Sequence, residues 1–75
     1  PNPSNNGELN LMNEQWLDAT VTMHIFDATG KIVLERDYTD SAWIQENAIE
    51  LANGMYLIQL SWGNESQQLH WMLQR

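Results

Sequence analysis

Two histidines are the side chains in this sequence best suited to metal binding or acid–base chemistry. His24 and His70 both fall on outward faces of predicted strands, and the chain contains no cysteine. A zinc site needs three or four protein ligands, and no close pair of carboxylates accompanies either histidine. The sequence therefore predicts two exposed strand histidines, with no metal ion or other cofactor.

Catalytic motifs are also missing from the sequence. A nucleophilic serine would need a histidine base and an orienting acid, yet there is neither a nucleophile elbow nor a glycine-rich phosphate loop. Acidic residues could gather around calcium, but their spacing lacks the one-three-five pattern of a calcium-binding loop. These residues are Asp27, Asp37, Asp40 and Glu46. We therefore expect a solvated acidic face and no enzymatic activity.

Four tryptophans suggest a different kind of site, in which an exposed indole ring packs against a sugar ring. Trp62 and Trp71 share the parity of core aliphatic residues, so both are expected in the core. Trp16 and Trp43 fall in predicted loops and are the two candidates for a surface platform. A small adhesion or carbohydrate-binding module is thus one alternative function, and an inert spacer domain is another.

Length and charge exclude several classes of protein. Seventy-five residues provide one small core, and ten acidic against three basic residues give a net charge of -7. That field repels phosphate backbones, so nucleic-acid binding is not expected. No apolar run is long enough to span a bilayer, and no secretory leader is visible. Because the sequence starts at Pro1 rather than at methionine, we expect one domain, residues 1–75, from the C-terminal end of a larger secreted precursor.

Alternating apolar residues between turn-forming clusters predict short strands. Val21, Met23 and Ile25 alternate with polar residues and define the buried face of one strand. The same period gives three more inward sets: Leu9 with Leu11; Tyr56, Ile58, Leu60 and Trp62; and Leu69, Trp71 and Leu73. No segment has a sustained helical period. The pattern predicts an all-β fold, a small antiparallel β-sandwich of six or seven strands.

The segments between these strands are less regular. Residues 48–51 predict a short strand with Ile49 and Leu51 inward, whereas residues 14–18 and 40–46 predict connecting loops. A one-turn helix capped by Ser41 is the alternative for residues 41–46. Successive apolar residues at 32–34 break the alternation and predict either a β-bulge or a strand buried on both faces.

Four motifs follow one another along the chain and cover essentially all of it. The first consists of Pro1, Asn2, Pro3, Ser4 and Gly7, followed by Leu9 and Leu11. The second consists of Asp27, Gly30, Lys31 and Val33, and the third of Leu51, Gly54, Met55, Tyr56 and Ile58. The last is the apolar strand of Leu69, Trp71 and Leu73, which ends at Arg75. In this order and spacing, the chain resembles the C-terminal sorting domain of type IX (Por) secretion.

The resemblance implies an immunoglobulin-like sandwich that acts as a sorting signal on secreted cargo of Gram-negative Bacteroidota. The implied partners are an upstream cargo domain, the outer-membrane translocon that the cargo reaches through the periplasm, and a sortase at the cell surface. That sortase usually removes the domain and attaches the cargo to an anionic lipopolysaccharide. The family usually carries lysine near the final strand, where this chain has His70, Gln74 and Arg75. The candidate recognition residues are Pro1, Asn2, Pro3, Gly7, Asp27, Gly30, Lys31, Gly54, Tyr56 and Arg75.

Two further expectations concern turns and strand edges. Gly30 and Gly54 suit positive φ angles at hairpin turns, and we assign both, with Tyr56, to folding rather than to partner contact. A small sandwich also exposes unpaired backbone groups along its edge strands, so we expect a weak homodimer through those edges.

Overall fold

The computed structural model describes residues 8–47 and 51–74. Their six strands are β1 (Glu8–Met12), β2 (Thr20–Phe26), β3 (Ile32–Thr39), β4 (Trp43–Asn47), β5 (Gly54–Trp62) and β6 (Glu65–Leu73). A single 3-10 turn, Glu14–Trp16, follows β1. No helix in this part of the chain is long and apolar enough to cross a membrane. The strand predicted over residues 48–51 lies outside the described residues except for Leu51, which is in a bend.

The strands form two antiparallel sheets. One has four strands in the order β3-β2-β5-β6, and the other pairs β1 with β4. The buried side chains of both sheets and of the 3-10 turn form one apolar core, which confirms the predicted all-β sandwich. Each fully buried aliphatic side chain contributes about 1.5 to 3 kcal/mol to folding. The core residues are Leu9, Trp16, Val21, Met23, Ile25, Ile44, Tyr56, Ile58, Leu60, Trp62, Trp71 and Leu73.

Alternation predicted the inward faces of β2, β5 and β6 correctly. Val21, Met23 and Ile25 are buried, whereas His24 between them is only half-buried. Trp62 and Trp71 are both core residues, as their parity indicated. The break at residues 32–34 is a β-bulge, because Ile25 lies opposite Leu34 while Phe26 lies opposite Ile32. One extra residue, Val33, is therefore accommodated in β3.

The loop predicted over residues 40–46 is correct only for residues 40–42, and its helical alternative is wrong. Residues 43–47 form β4, which pairs with β1 so that Leu11 lies opposite Ile44. Ile44 is fully buried, and Glu46 also points inward. Because a charged residue occupies an inward position, the alternation of apolar and polar residues is broken and the strand is hidden in the sequence. An inward carboxylate is tolerated here because the Tyr38 hydroxyl donates a hydrogen bond to it.

The two tryptophans expected in loops differ in burial. Trp16, in the 3-10 turn that connects β1 to β2, is only 1% exposed. Its ring meets Trp62 edge to face, with centroids 5.7 Å apart and planes at 80°. This is a favourable geometry for two aromatic rings. Trp16 is thus part of the core rather than a surface platform, while Trp43 at the start of β4 is 51% exposed.

Candidate recognition groove

The turn between β2 and β3 is organised by the side chain of Asp27. Its Oδ1 atom accepts hydrogen bonds from the Thr29 backbone N–H at 2.9 Å, the Thr29 hydroxyl at 2.6 Å and the Lys31 backbone N–H at 3.1 Å. Backbone bonds from Asp27 N–H to the Lys31 carbonyl and from Gly30 N–H to the Asp27 carbonyl close the turn. The Thr29 hydroxyl, followed by the Lys31 N–H, lowers the pKa of Asp27 from its ordinary value. The carboxylate is therefore the form that the turn favours.

Gly30 is needed in this turn for its backbone angle. Its φ is +90°, a conformation that residues with a Cβ rarely adopt. A Cβ placed there would meet no atom within 4 Å, so lack of space is not the reason. This agrees with the expectation that Gly30 lies at a hairpin turn.

Gly54 differs from that expectation. It is the first residue of β5, with φ of +157°, and β4 and β5 are not neighbours in either sheet, so Gly54 is not in a hairpin turn. The glycine at the β5–β6 hairpin is Gly63, with φ of +54°. Its turn signal, a glycine followed by Asn64, is visible in the sequence.

Tyr56 fixes the chain where it enters β5. Its hydroxyl donates a hydrogen bond to the Ala52 carbonyl at 2.5 Å, and its ring lies 5.9 Å from that of Trp71. A buried tyrosine that bonds to the backbone a few residues upstream also occurs in immunoglobulin-like domains. Tyr56 therefore ties the segment before β5 to the core.

The Asp27 turn and the Tyr56 contact with the chain before β5 lie beside one groove. Asp27, Gly30 and Tyr56 all contribute to its lining, although they come from separate motifs. The groove has a volume of about 420 Å³, and Phe26 and Leu57, opposite each other on β2 and β5, contribute apolar surface to it. The full lining is Phe26, Asp27, Ala28, Gly30, Met55, Tyr56, Leu57, Gln59 and His70.

Exposed apolar side chains extend this groove over the outer face of the four-stranded sheet. Ile32 lies opposite Phe26, and Met72 lies opposite Met55. Ile32, Met55 and Met72 are each between 38% and 49% exposed. We call Phe26, Ile32, Met55, Leu57 and Met72 the outer-face patch. Contiguous apolar surface of this kind commonly marks an interaction site.

The remaining candidate residues are less informative. Lys31 is exposed and joins the turn through its backbone, while Pro1, Asn2, Pro3, Gly7 and Arg75 lie outside the described residues. His24 Nε2 is 2.6 Å from Glu35 Oε2, and His70 lines the groove. Within residues 8–47 and 51–74, no group of three or more histidine, aspartate or glutamate side chains could hold a metal ion.

The family model described as "Secretion system C-terminal sorting domain" matches residues 1–74. The chain belongs to this family, whose domain is the C-terminal sorting signal of the type IX secretion system. No curated protein and no solved structure matches the chain.

Membership in this family confirms the resemblance and has three consequences. The domain is part of a cargo protein and interacts with the type IX secretion machinery. The cargo is secreted across a Gram-negative outer membrane to the cell surface or the extracellular space. A signal role also suggests a function without catalysis.

Proposed function

We propose that residues 1–75 act as one folded, non-enzymatic sorting domain, which the translocon recognises through the groove and the outer-face patch. The single observation that carries this proposal is the convergence of Asp27, Gly30 and Tyr56 on one groove. Their motifs are far apart in sequence, yet the fold places them at the same end of the four-stranded sheet. A receptor that binds this end of the domain would contact residues of both motifs at once, and it could do so only when the domain is folded.

The motif residues build the groove, and the apolar side chains supply the contact. The Asp27 carboxylate accepts three hydrogen bonds within its own turn, and the Tyr56 hydroxyl is bonded to Ala52. Met55 and Leu57, by contrast, face outward on β5. Methionine side chains are flexible and adapt to different partner surfaces. Recognition is therefore mainly by shape and apolar contact.

The wider pathway follows the family role. The cargo passes through the periplasm of a bacterium of the Bacteroidota, and the domain guides it through the translocon. A surface sortase then removes the domain and attaches the cargo to lipopolysaccharide. Pro1, Asn2, Pro3, Gly7 and Arg75 are proposed recognition residues at the two ends of the domain. Gly54 and Lys31 are assigned to the fold, since Gly54 has a positive φ and Lys31 closes the Asp27 turn.

Export of a fusion protein tests the proposal. Residues 1–75 are fused behind a periplasm-directed reporter in a host with type IX secretion, and surface reporter is measured by protease accessibility. The double variant Met55→Gln/Leu57→Thr should reduce export about tenfold because it removes apolar contact surface. Its melting temperature should stay close to that of the wild type, since both residues face outward.

A matched control separates recognition from general surface effects. Ser66→Thr/Gln68→Thr changes two exposed residues of β6 and should be exported normally. If Leu57→Thr lowers the melting temperature, the single variant Met55→Gln becomes the test. Normal export of the groove variants would refute the groove as the recognition surface. Normal export after deletion of residues 69–75 would refute the sorting function of this chain itself.

A further inference from the structure

The outer face of the two-stranded sheet has a composition unlike that of the outer-face patch. Three cross-strand pairs point outward there, namely Met12 with Trp43, Asn10 with Gln45, and Glu8 with Asn47. Leu9, Leu11 and Ile44 occupy the opposite, core-facing side. The outward pairs thus form a row with an exposed apolar pair, Trp43 and Met12, at one end and polar side chains along the rest. We call these six residues the amide face.

The backbone of Trp43 is held in place by its neighbours, although its ring is exposed. The Ser41 hydroxyl donates a hydrogen bond to the Trp43 carbonyl at 2.7 Å, and the Trp43 N–H donates to Ser41 Oγ at 3.2 Å. The backbone N–H of Asn13 donates to the Ala42 carbonyl at 2.8 Å, which ties the start of β4 to the end of β1. These bonds fix the main chain of Trp43, and its side chain has only two torsion angles, so little conformational entropy is lost when a ligand packs on the ring.

The amides beside Trp43 are available for a ligand. Asn10, Gln45 and Asn47 are exposed, and the structure gives none of them a side-chain hydrogen bond within residues 8–47 and 51–74. Each amide offers two N–H donors and one acceptor oxygen. A depression of about 240 Å³ lies at the end of the row away from Trp43, lined by Glu8, Asn10, Gln45, Glu46 and Asn47. The row extends over about 14 Å, since two steps of two residues each separate its ends.

We propose that the amide face binds a neutral glycan, a function separate from sorting. The C–H groups of a sugar ring would pack on the indole of Trp43. Its hydroxyl groups, which both donate and accept hydrogen bonds, would pair with the amides of Asn10, Gln45 and Asn47.

Charge decides between the kinds of glycan. The chain carries a net charge of -7, and both titratable residues in the depression, Glu8 and Glu46, are acidic. Arg36, 3.7 Å from Glu46, is paired with that carboxylate and does not line the depression. An anionic polysaccharide would therefore meet the net negative field without an unpaired basic side chain in the lining. A protein partner fits less well, because the centre of a protein interface is usually a contiguous apolar area. Here the apolar area is limited to the pair Trp43 and Met12, which adjoins a row of neutral amides.

Native gel electrophoresis in the presence of soluble polysaccharides tests this proposal. Hydroxyethylcellulose, galactomannan and laminarin are the neutral probes, and alginate is the anionic comparison. We expect at least one neutral probe to retard residues 1–75, with no retardation by alginate. Trp43→Ala should weaken retardation about tenfold, as expected for loss of the aromatic anchor of the site. Trp43→Tyr should retain part of it, because a ring is still present.

Two controls keep the outcome decisive. Ile32→Thr, on the four-stranded sheet, should be retarded like the wild type. Asn10→Ala/Gln45→Ala should weaken retardation without changing the melting temperature, since both amides are exposed.

Lack of retardation by all three neutral probes would overturn the proposal, and so would equal retardation of Trp43→Ala and the wild type. Capture of a protein through Trp43 without any glycan binding would replace it with a protein interface. Normal export of Trp43→Ala, which we expect, would show that this site is independent of sorting.

Discussion

The Tyr38 hydroxyl donates a hydrogen bond of 2.5 Å to Glu46 Oε2, and this bond connects the two sheets of the sandwich. Tyr38 lies on β3, an edge of the four-stranded sheet, and Glu46 lies on β4 of the two-stranded sheet. Arg36 Nε is 3.7 Å from the other oxygen of Glu46. Burial, followed by the hydrogen bond to Glu46, raises the pKa of Tyr38 well above its ordinary value. A polar cluster thus closes one edge of an otherwise apolar core.

Removing the hydroxyl should weaken this connection. Tyr38→Phe leaves a partly buried carboxylate without its main donor, and we expect a loss of about 2 kcal/mol in the free energy of unfolding near pH 7. Urea denaturation followed by circular dichroism measures the loss. Glu46→Gln keeps an acceptor for the tyrosine and should cost less. A loss in Tyr38→Phe no larger than in an exposed control such as Thr39→Ala would show that the bond does not stabilise the domain.

The same pair predicts an alkaline dependence of stability. Because folding raises the pKa of Tyr38 above its unfolded value of 10.0, its contribution is fully present below pH 10 and is lost as the pH rises beyond that. The unfolding free energy of the wild type should therefore fall between pH 9 and 11 more than that of Tyr38→Phe. Parallel pH profiles for the two proteins would contradict this assignment.

The Asp27 turn predicts the opposite dependence, at acidic pH. Folding lowers the pKa of Asp27, so its contribution is present above the unfolded value of 3.8 and is lost as the pH falls through the folded value. Asp27→Ala removes the acceptor of three hydrogen bonds and should lower the melting temperature more than Asp27→Asn, which keeps an acceptor oxygen. The differences from the wild type should shrink at pH 2. Equal melting temperatures of all three proteins at pH 7 would exclude a structural role for this carboxylate.

Strand parity in β2 can be tested with two adjacent residues. Ile25 is fully buried and lies opposite Leu34 and Ile58, so Ile25→Asp should unfold the domain at a cost of several kcal/mol. His24→Gln on the other face should be tolerated with a loss of about 1 kcal/mol or less, because the contacts that change, with Glu35 and with the Phe26 ring, lie outside the core. Circular dichroism and urea titration compare the two variants. Similar losses in both would mean that the assigned inward face is wrong.

Edge strands predict weak self-association. β3 and β6 are the outer strands of the four-stranded sheet, and each has a neighbour on one side only within the described residues. Free backbone groups along such an edge can pair with a second copy. Sedimentation at high micromolar concentration should detect a dimer, and Gln68→Lys on β6 should weaken it. A purely monomeric wild type would refute the expectation for this chain.

Much of the sandwich could be predicted from local sequence patterns. Alternation alone placed Val21, Met23 and Ile25 in the core, because a strand with one buried face must repeat every two residues. Turn chemistry placed Gly30 where a positive φ is required. The order of the motifs indicated the family. The first two signals depend on residues close together in the chain and the third on linear order alone, so no knowledge of tertiary packing was required.

The tertiary structure decided the rest. β4 becomes a strand by pairing with β1, and its inward Glu46 is stabilised by Tyr38 from the other sheet, which no local pattern encodes. The contrast between buried Trp16 and exposed Trp43 depends on whether a distant ring such as Trp62 is in reach. The groove likewise exists only because pairing of β2 with β5 brings two separate motifs together. Sequence patterns indicate which face of a strand is apolar. Long-range contacts determine which residues pack against that face and which partners the polar residues on it find.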